Sequence, residues 1–240
     1  MRRRARIAAI VVLAPLAALV SCAGAPAAPS SGKAGIFGTL RLVPHEGVPR
    51  PSRGDNSAYQ SLRVRGAELV DYSTPGFAVV FVAEGTRPGG HAALAIRDTS
   101  VAPRLDPDHV ALGAGGRISI ENAGRAPHIL SYPAAGLVRR LAPGEHLEIE
   151  VPQEGEQGLF LLDAPDATAT LFAAPGRFAV VSRSGDYELR DLEPGAVLLR
   201  AWHPRFPPVV QRVELAPDTA VRVDLEMGVG IGAEASAHGE

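Results

Sequence analysis

Cysteine is almost absent from this chain. Its 240 residues include one cysteine, Cys22, one tryptophan, Trp202, and a single methionine after the first residue, Met227. One thiol excludes an intramolecular disulfide and any metal site that needs two thiolates. The folded part must therefore derive its stability from an apolar core, and a chain of this length is long enough to bury one.

Basic charge is scarce beyond the N-terminus. The chain has 24 basic and 26 acidic residues, and residues 1–21 hold four arginines and no acid, which leaves 20 against 26, a net charge of −6, for the remainder. Lys33 is the single lysine. Binding to a nucleic acid backbone requires clustered lysine and arginine, so no nucleic acid partner is expected.

Residues 1–21 have the pattern of a secretory signal peptide. Arginines at the start precede the apolar run Ile7–Val20, whose 14 residues fall short of the roughly 20 that span a bilayer. Leu19–Cys22 resembles the lipobox of bacterial lipoproteins, in which the signal is cut before the cysteine and the thiol carries a diacylglycerol. The resemblance implies a lipid anchor at Cys22, and Ala23 after it implies the outer membrane, facing the periplasm. The alternative is an uncleaved membrane helix.

Small residues, proline and serine follow the cysteine. Such a composition cannot bury apolar area, which predicts a flexible tether over residues 22–34. Residues 228–240 are also poor in large apolar side chains, and we expect a disordered tail there.

The periodicity between these ends is two, which is typical of half-buried β-strands. The clearest alternating segments are Thr39–Val43, Arg117–Glu121, His146–Val151 and Val221–Glu226. The chain also has 26 Gly and 21 Pro, which suit turns between short strands better than helix interiors. The sequence predicts an all-β protein built of antiparallel sheets packed face to face.

Four segments carry a family resemblance. They are Phe77–Val82, Gly115–Glu121, Asn122–His128 and Leu141–Glu145. In this order they resemble a central strand, the strand before the copper loop, the motif N-x-D-x-x-x-H and a Pro-Gly turn of cupredoxin-like, plastocyanin-like domains. Gly124 replaces the acidic residue of that motif, and His128 falls on the first copper-ligand position. The resemblance implies a Greek-key β-sandwich, assigned to residues 35–172.

The second half of a copper site is missing from this pattern. Residues 159–170 contain no cysteine, histidine or methionine, whereas a blue-copper centre needs a thiolate, two imidazoles and a weak axial ligand. A type-1 copper site is therefore excluded, no cofactor is expected, and His128 remains a weak metal candidate. A histidine-only copper site is the alternative. It would draw on His91, His109, His146 or His203.

A second resemblance covers residues 172–226. Its segments are Phe178–Val181, Ser184–Leu189 and Leu192–His203. They resemble the regulatory-like repeat of carboxypeptidases, which implies a small transthyretin-like (prealbumin-like) sandwich, assigned to residues 173–227. Family members of this kind are mostly accessory modules without catalysis of their own.

Two clusters are candidate binding sites. His128 and Tyr132 lie near the copper-loop position, where the simpler interpretation is a loop histidine packed beside the tyrosine. Trp202, His203 and Arg205 could stack on a sugar ring or grip a carboxylate, although the same strand end packs the core in related domains.

No G-x-S-x-G, H-E-x-x-H or P-loop motif occurs, so catalysis is not expected. The sequence therefore predicts a lipid-anchored accessory protein of the cell envelope that binds an unidentified envelope protein or glycan. A histidine-only copper carrier and a carbohydrate-binding module are the alternatives.

Overall fold

The computed structural model describes residues 28–44, 72–83, 85 and 89–228. Residues 1–21, Cys22 and almost all of the expected tail lie outside this range. The described residues form strands and one 3-10 turn, Pro133–Ala135. None of them belongs to a helix with the length and hydropathy needed to cross a membrane.

Seventeen strands form four sheets in the part of the chain that the structure describes. The strands are β1 (Ala34–Leu42), β2 (Val79–Val82), β3 (His91–Asp98), β4 (Pro103–Asp106), β5 (His109–Gly113), β6 (Arg117–Asn122), β7 (His128–Tyr132), β8 (Leu137–Leu141), β9 (His146–Glu150), β10 (Gly155–Leu161), β11 (Ala164–Ala174), β12 (Phe178–Val180), β13 (Asp186–Leu192), β14 (Gly195–His203), β15 (Phe206–Leu215), β16 (Ala220–Arg222) and β17 (Leu225–Met227). The all-β prediction is confirmed.

The first sandwich consists of β3–β11. One sheet has the order β4-β3-β6-β9 and the other the order β5-β11-β10-β7-β8. Alternation in β6 turns Ile118 and Ile120 into the core, where they join one apolar cluster with Leu130 and Leu159. The pairs β3–β6 and β5–β11 are parallel, so these sheets are mixed, whereas the sequence predicted antiparallel sheets.

The second sandwich consists of β1, β2 and β12–β17. Strand β1 pairs with β13 on one side and with β16 and β17 on the other, and the facing sheet has the order β12-β2-β14-β15. Its core is a separate apolar cluster that includes Ile36, Leu40, Val80 and Leu199.

The placement of β1 and β2 differs from the expected boundaries of 35–172 and 173–227. Both strands belong to the second sandwich, and β2 pairs directly with β12, with Phe81 opposite Phe178. The first sandwich therefore spans residues 91–174 and is inserted between two hydrogen-bonded strands of the second. The apolar run Phe77–Val82 identifies a buried strand, but a local pattern does not specify which sheet buries it.

Aromatic side chains join the two sandwiches. Val79 and Phe81 of β2 form a buried cluster with Phe172 and Ala174 of β11. The Phe172 ring lies 5.2 Å from that of Phe81 and stacks on Trp202 at 4.5 Å. This contact couples the two cores.

The end of the expected tether is bound to the second sandwich. The Ser30 N–H donates to Asp191 Oδ1 at 3.0 Å, and the Gly32 N–H donates to Asp218 Oδ1 at 2.6 Å. Lys33 forms an ion pair with Glu193. Residues 30–34 therefore belong to the folded unit, whereas the prediction placed them in the flexible tether.

Candidate functional site

A buried asparagine holds the loop that leads to His128. This loop occupies the position of the copper loop in the cupredoxin-like resemblance. Asn122 is fully buried at the end of β6. Its Nδ2 donates to the carbonyls of Ala126 and Leu141, each at 2.9 Å, and its Oδ1 accepts the Gly124 N–H at 3.0 Å. These three hydrogen bonds fix the approach of the chain to His128.

Gly124 lies directly against the carboxylate of Asp98. A Cβ at this position would lie 2.9 Å from Asp98 Oδ1. A second carboxylate beside Asp98 would also add like-charge repulsion. Gly124 therefore leaves room for the carboxylate of Asp98, the last residue of β3.

His128 lies between two carboxylates. It opens β7 and is 4% exposed. Its Nδ1 is 2.8 Å from Asp163 Oδ2, and its Nε2 is 3.2 Å from Asp98 Oδ1. Both carboxylates are acceptors, so the ring fills both contacts only when both nitrogens carry a proton. We call Asp98, His128 and Asp163 the pole triad.

Backbone amides stabilise the two carboxylates of the pole triad. The Arg125 N–H donates to Asp98 Oδ2 at 2.6 Å, and this bond, with that from His128, lowers the pKa of Asp98. Burial opposes ionisation of Asp163, but the Ile129 N–H at 2.8 Å and the His128 ring outweigh it and lower the pKa of Asp163. Both carboxylates are therefore ionised at neutral pH.

The pole triad does not fit the copper set that the cupredoxin resemblance implies. A type-1 centre needs a thiolate and a second imidazole beside the first, whereas both nitrogens of His128 face carboxylate oxygens. Met227 is fully buried in the core of the second sandwich. Among the described residues, no three His, Cys, Asp or Glu side chains are placed to hold a metal ion.

Tyr132 is a core residue. Its side chain is fully buried, and its hydroxyl donates to Gln157 Oε1, while Gln157 Nε2 donates to the Gln153 carbonyl at 2.5 Å. Burial raises the pKa of Tyr132 to about 12. Tyr132 therefore presents no surface to a ligand, and it does not contribute to the pole triad.

Trp202 lies at the junction of the sandwiches. It stacks on Phe172 with an interplanar angle of 22°, and it meets Phe77 edge to face at 6.2 Å. The indole is half-buried and helps to join the two cores, as the structural interpretation of this strand end predicts.

The His203 ring forms hydrogen bonds with the backbone of two residues, Arg205 and Pro75. Its Nδ1 accepts the Arg205 N–H at 3.0 Å. Burial lowers the pKa of His203, the charges of Arg205 and His109 lower it further, and a hydrogen bond to the Pro75 backbone opposes them. The neutral ring thus shapes the turn that carries Arg205, whose side chain is exposed.

A cleft lies where the two sandwiches meet. We call it the junction cleft; it has a volume of about 410 Å³. Its lining residues are Leu42, Thr74, Pro75, Gly76, Phe77, Asp108, His109, His203, Pro204 and Arg205. A second cavity of about 500 Å³ adjoins it through Asp108 and His109 and extends along Thr168 and Thr170 of β11.

The sequence patterns do not predict two of these arrangements: the contact of Asp98 with His128, and the position of His109 in the junction cleft. Asp98 is 30 residues from His128, and no motif links them. His109 was considered only as a metal ligand, but its Nδ1 contacts Asp108 Oδ1 at 2.9 Å and its ring lies 5.2 Å from Phe77. The apolar run that begins at Phe77 and the pair Asp108–His109 can be read from the sequence, but only the fold places them in one cleft.

No protein-family model matches the chain, and the search of curated proteins finds no match. Among solved structures, a purple cupredoxin from Nitrosopumilus maritimus overlaps 35% of this chain and 99% of its own, with 18% identity and a TM-score of 0.30. Auracyanin from Roseiflexus castenholzii overlaps 38% and 100%, with 13% identity and a TM-score of 0.29. Amicyanin from Paracoccus versutus overlaps 39% and 96%, with 13% identity and a TM-score of 0.29.

Proposed function

We propose that this chain is a lipid-anchored protein of the cell envelope that acts as a non-catalytic, metal-free binding module. The pole triad is the observation that carries the proposal. At the position where the cupredoxin resemblance has a copper ligand, His128 is engaged by Asp163 at 2.8 Å and by Asp98 at 3.2 Å. These two contacts link the ends of β3 and β7 to the turn after β10.

The anchor is proposed from the lipobox at Leu19–Cys22. Diacylation of Cys22 provides stable membrane binding, because two or more chains bury enough CH₂ groups. Ser30 is the first residue whose backbone is hydrogen-bonded to the second sandwich by a described contact. In this proposal the short segment between Cys22 and Ser30 keeps the second sandwich next to the membrane, which we take to be the outer membrane facing the periplasm.

The second sandwich is proposed to be the regulatory-like, transthyretin-like module of the resemblance. Strands β13 and β14 cover the residues that carry that resemblance. In this proposal β1 and β2 complete the module, since they supply Ile36, Leu40 and Val80 to its core. The first sandwich then projects from it towards a partner protein or glycan of the envelope.

Metal content tests the metal-free proposal. The full chain would be purified in detergent, incubated with Cu(II) and Zn(II), desalted and analysed for metal beside the His128→Ala variant. We expect neither protein to retain metal. A stoichiometric metal that His128→Ala abolishes would overturn the proposal and support the histidine-only copper carrier.

Partition between detergent and water tests the anchor separately. The full chain is expected in the detergent phase of Triton X-114, and Cys22→Ala is expected in the aqueous phase or as an unprocessed precursor. His128→Ala serves as the matched control, because it leaves the lipobox intact. An unprocessed precursor is recognised by its larger mass, and equal partition of the parent and a Cys22→Ala protein that has lost residues 1–21 would contradict lipidation.

A further inference from the structure

The edge strand β8 directs part of its backbone away from the sheet. It is the last strand of its sheet, and within the described residues it pairs with β7 alone. The Leu162 N–H donates to the Ile129 carbonyl at 2.8 Å, so Ile129 directs its backbone groups towards β10, and the alternate residues of β7 direct theirs towards β8. By the register of β7 and β8, the N–H and C=O groups of Val138 and Arg140 therefore point outward from the free edge.

The side chains beside this edge form an exposed apolar face. Val138 is 64% exposed, and it lies in one row across the sheet with Ser131 and Phe160. Arg140 lies opposite Ile129 in the next row. Four of the six large apolar side chains that are exposed in the described part of the chain belong to this face. We call Ile129, Val138, Arg140, Phe160 and Leu162 the edge surface.

Arg140 is the cation of the edge surface. Its side chain is exposed, and its guanidinium forms no hydrogen bond or ion pair with any residue that the structure describes. Glu145 is engaged by Arg139 at 2.7 Å, and Asp163 is engaged by His128 and by a backbone N–H. Neither carboxylate therefore neutralises Arg140, whose charge is permanent.

A second copy of the chain does not suit this edge. Two β8 strands paired antiparallel over their full length would place Arg139 of one copy opposite Arg139 of the other. Like charges directly opposite each other destabilise a strand pair, and charged side chains protect edge strands from self-pairing. A strand of another protein that carries an acid at the matching position meets no such repulsion.

We propose that the edge surface binds an extended segment of a partner protein, which adds to the sheet as a strand antiparallel to β8. The segment forms backbone hydrogen bonds with Val138 and Arg140, as in other cases of strand addition. An acidic side chain of the segment faces Arg140, and an apolar side chain two residues later faces Val138. The proposal rests on the binding role proposed above and names a protein segment, not a glycan, as the partner.

A library of random heptapeptides displayed on phage provides the probe. The full chain is immobilised in detergent, and the enriched peptides are synthesised with a fluorescein label. Their affinities are measured by fluorescence anisotropy in the same detergent. We expect enriched sequences in which an acidic residue precedes an apolar residue by two positions.

Arg140→Glu and Arg183→Glu form a matched pair that tests the charge. Arg183 is also an exposed arginine, but it lies in the turn before β13 of the second sandwich. We expect Arg140→Glu to weaken binding of the enriched peptides by about tenfold or more, because it replaces an attraction with a repulsion. Arg183→Glu should bind as the parent does.

Val138→Pro and Val138→Thr test the strand addition. Proline suits an edge position whose N–H points outward, and it removes that donor. We expect Val138→Pro to weaken binding by about fivefold or more, since a carbonyl of the peptide loses its partner. Val138→Thr keeps the N–H and the branched shape, and it should stay close to the parent.

Three results would overturn the proposal. These are a selection that enriches no peptide, equal affinity of the enriched peptides for Arg140→Glu and Arg183→Glu, and equal affinity for Val138→Pro and Val138→Thr. The first of them would leave a glycan as the partner of the binding module. None of them alters the metal and partition results of the full chain, so failure of the edge surface is distinguishable from failure of the proposed function.

Discussion

The two sandwiches are built from the chain in different ways. The first uses one continuous stretch, residues 91–174, whereas the second collects β1, β2 and β12–β17 from both sides of that stretch. The first holds the pole triad, whereas in the second the backbone of β1 lies close to the Val223 carbonyl. This difference shows that sequence continuity is a poor guide to which strands share a core.

The largest expected effect comes from adding a Cβ to a glycine of the second sandwich, compared with the same change in the first. A Cβ on Gly38 of β1 would lie 1.7 Å from the Val223 carbonyl oxygen, whereas a Cβ on Gly158 of β10 would meet only the far end of the Phe160 ring at 2.5 Å. We expect Gly38→Ala to lower the free energy of unfolding by about 3 kcal/mol or more, because backbone must move. Gly158→Ala is expected to cost less than about 1 kcal/mol, since a flexible ring can swing away.

Urea unfolding of the two alanine variants measures this contrast. Equal losses at Gly38 and Gly158 would contradict the close approach of β1 to the segment after β16. The comparison also tests the assignment of β1, because a β1 outside the second sandwich would tolerate the change.

The next effect concerns the coupling of the two cores. Trp202→Ala removes a half-buried ring that stacks on Phe172 at 4.5 Å, and we expect a loss of about 2 kcal/mol, below the range for a fully buried ring. Two separate thermal transitions are expected in calorimetry where the parent shows one. Trp202→Phe is the control and should retain a single transition. A single, unshifted transition in Trp202→Ala would show that the sandwiches are not coupled through this ring.

A smaller loss is expected from breaking the pole triad. His128→Gln leaves Asp98 and Asp163 without the ring that lies between them, and we expect a loss of about 1–2 kcal/mol, as for hydrogen bonds to charged groups partly open to water. The loss should appear as a lower midpoint of the single transition expected for the coupled sandwiches. His146→Gln is the control, because His146 is exposed on β9. Equal stability of the two variants would contradict a structural role for the triad.

The smallest expected effect is on the pH dependence of stability, and it tests the pole triad. The pKa values of Asp98 and Asp163 are lowered in the folded state. Their contribution is therefore present above the ordinary pKa of aspartate, about 4, and is lost as the pH falls through the lower folded values. Asp163→Asn should flatten the fall in the urea midpoint below about pH 4. An unchanged slope would show that Asp163 does not supply this stability.

Much of the fold could be predicted, whereas the site could be predicted only in part. Alternation in β6 and β9 identified half-buried strands, and the missing thiolate in residues 159–170 argued against blue copper. The partner Asp98 could not be predicted, because it lies at the end of β3 with no spacing rule that connects it to His128. Tyr132 was a binding candidate from its neighbourhood, but alternation along β7 turns it into the core.

The sequence by itself determined the all-β class, its missing thiolate predicts the absence of a type-1 copper site, and its lipobox predicts the lipid anchor. These features depend on residue type and on period-two patterns, which are local. Only the tertiary structure decided that β1 and β2 join the second sandwich, that two carboxylates enclose His128, and that Phe77, His109 and Arg205 line one cleft. Strand pairing joins residues distant in the chain, and many pairings satisfy the same alternation, so the packing of whole sheets is what selects among them.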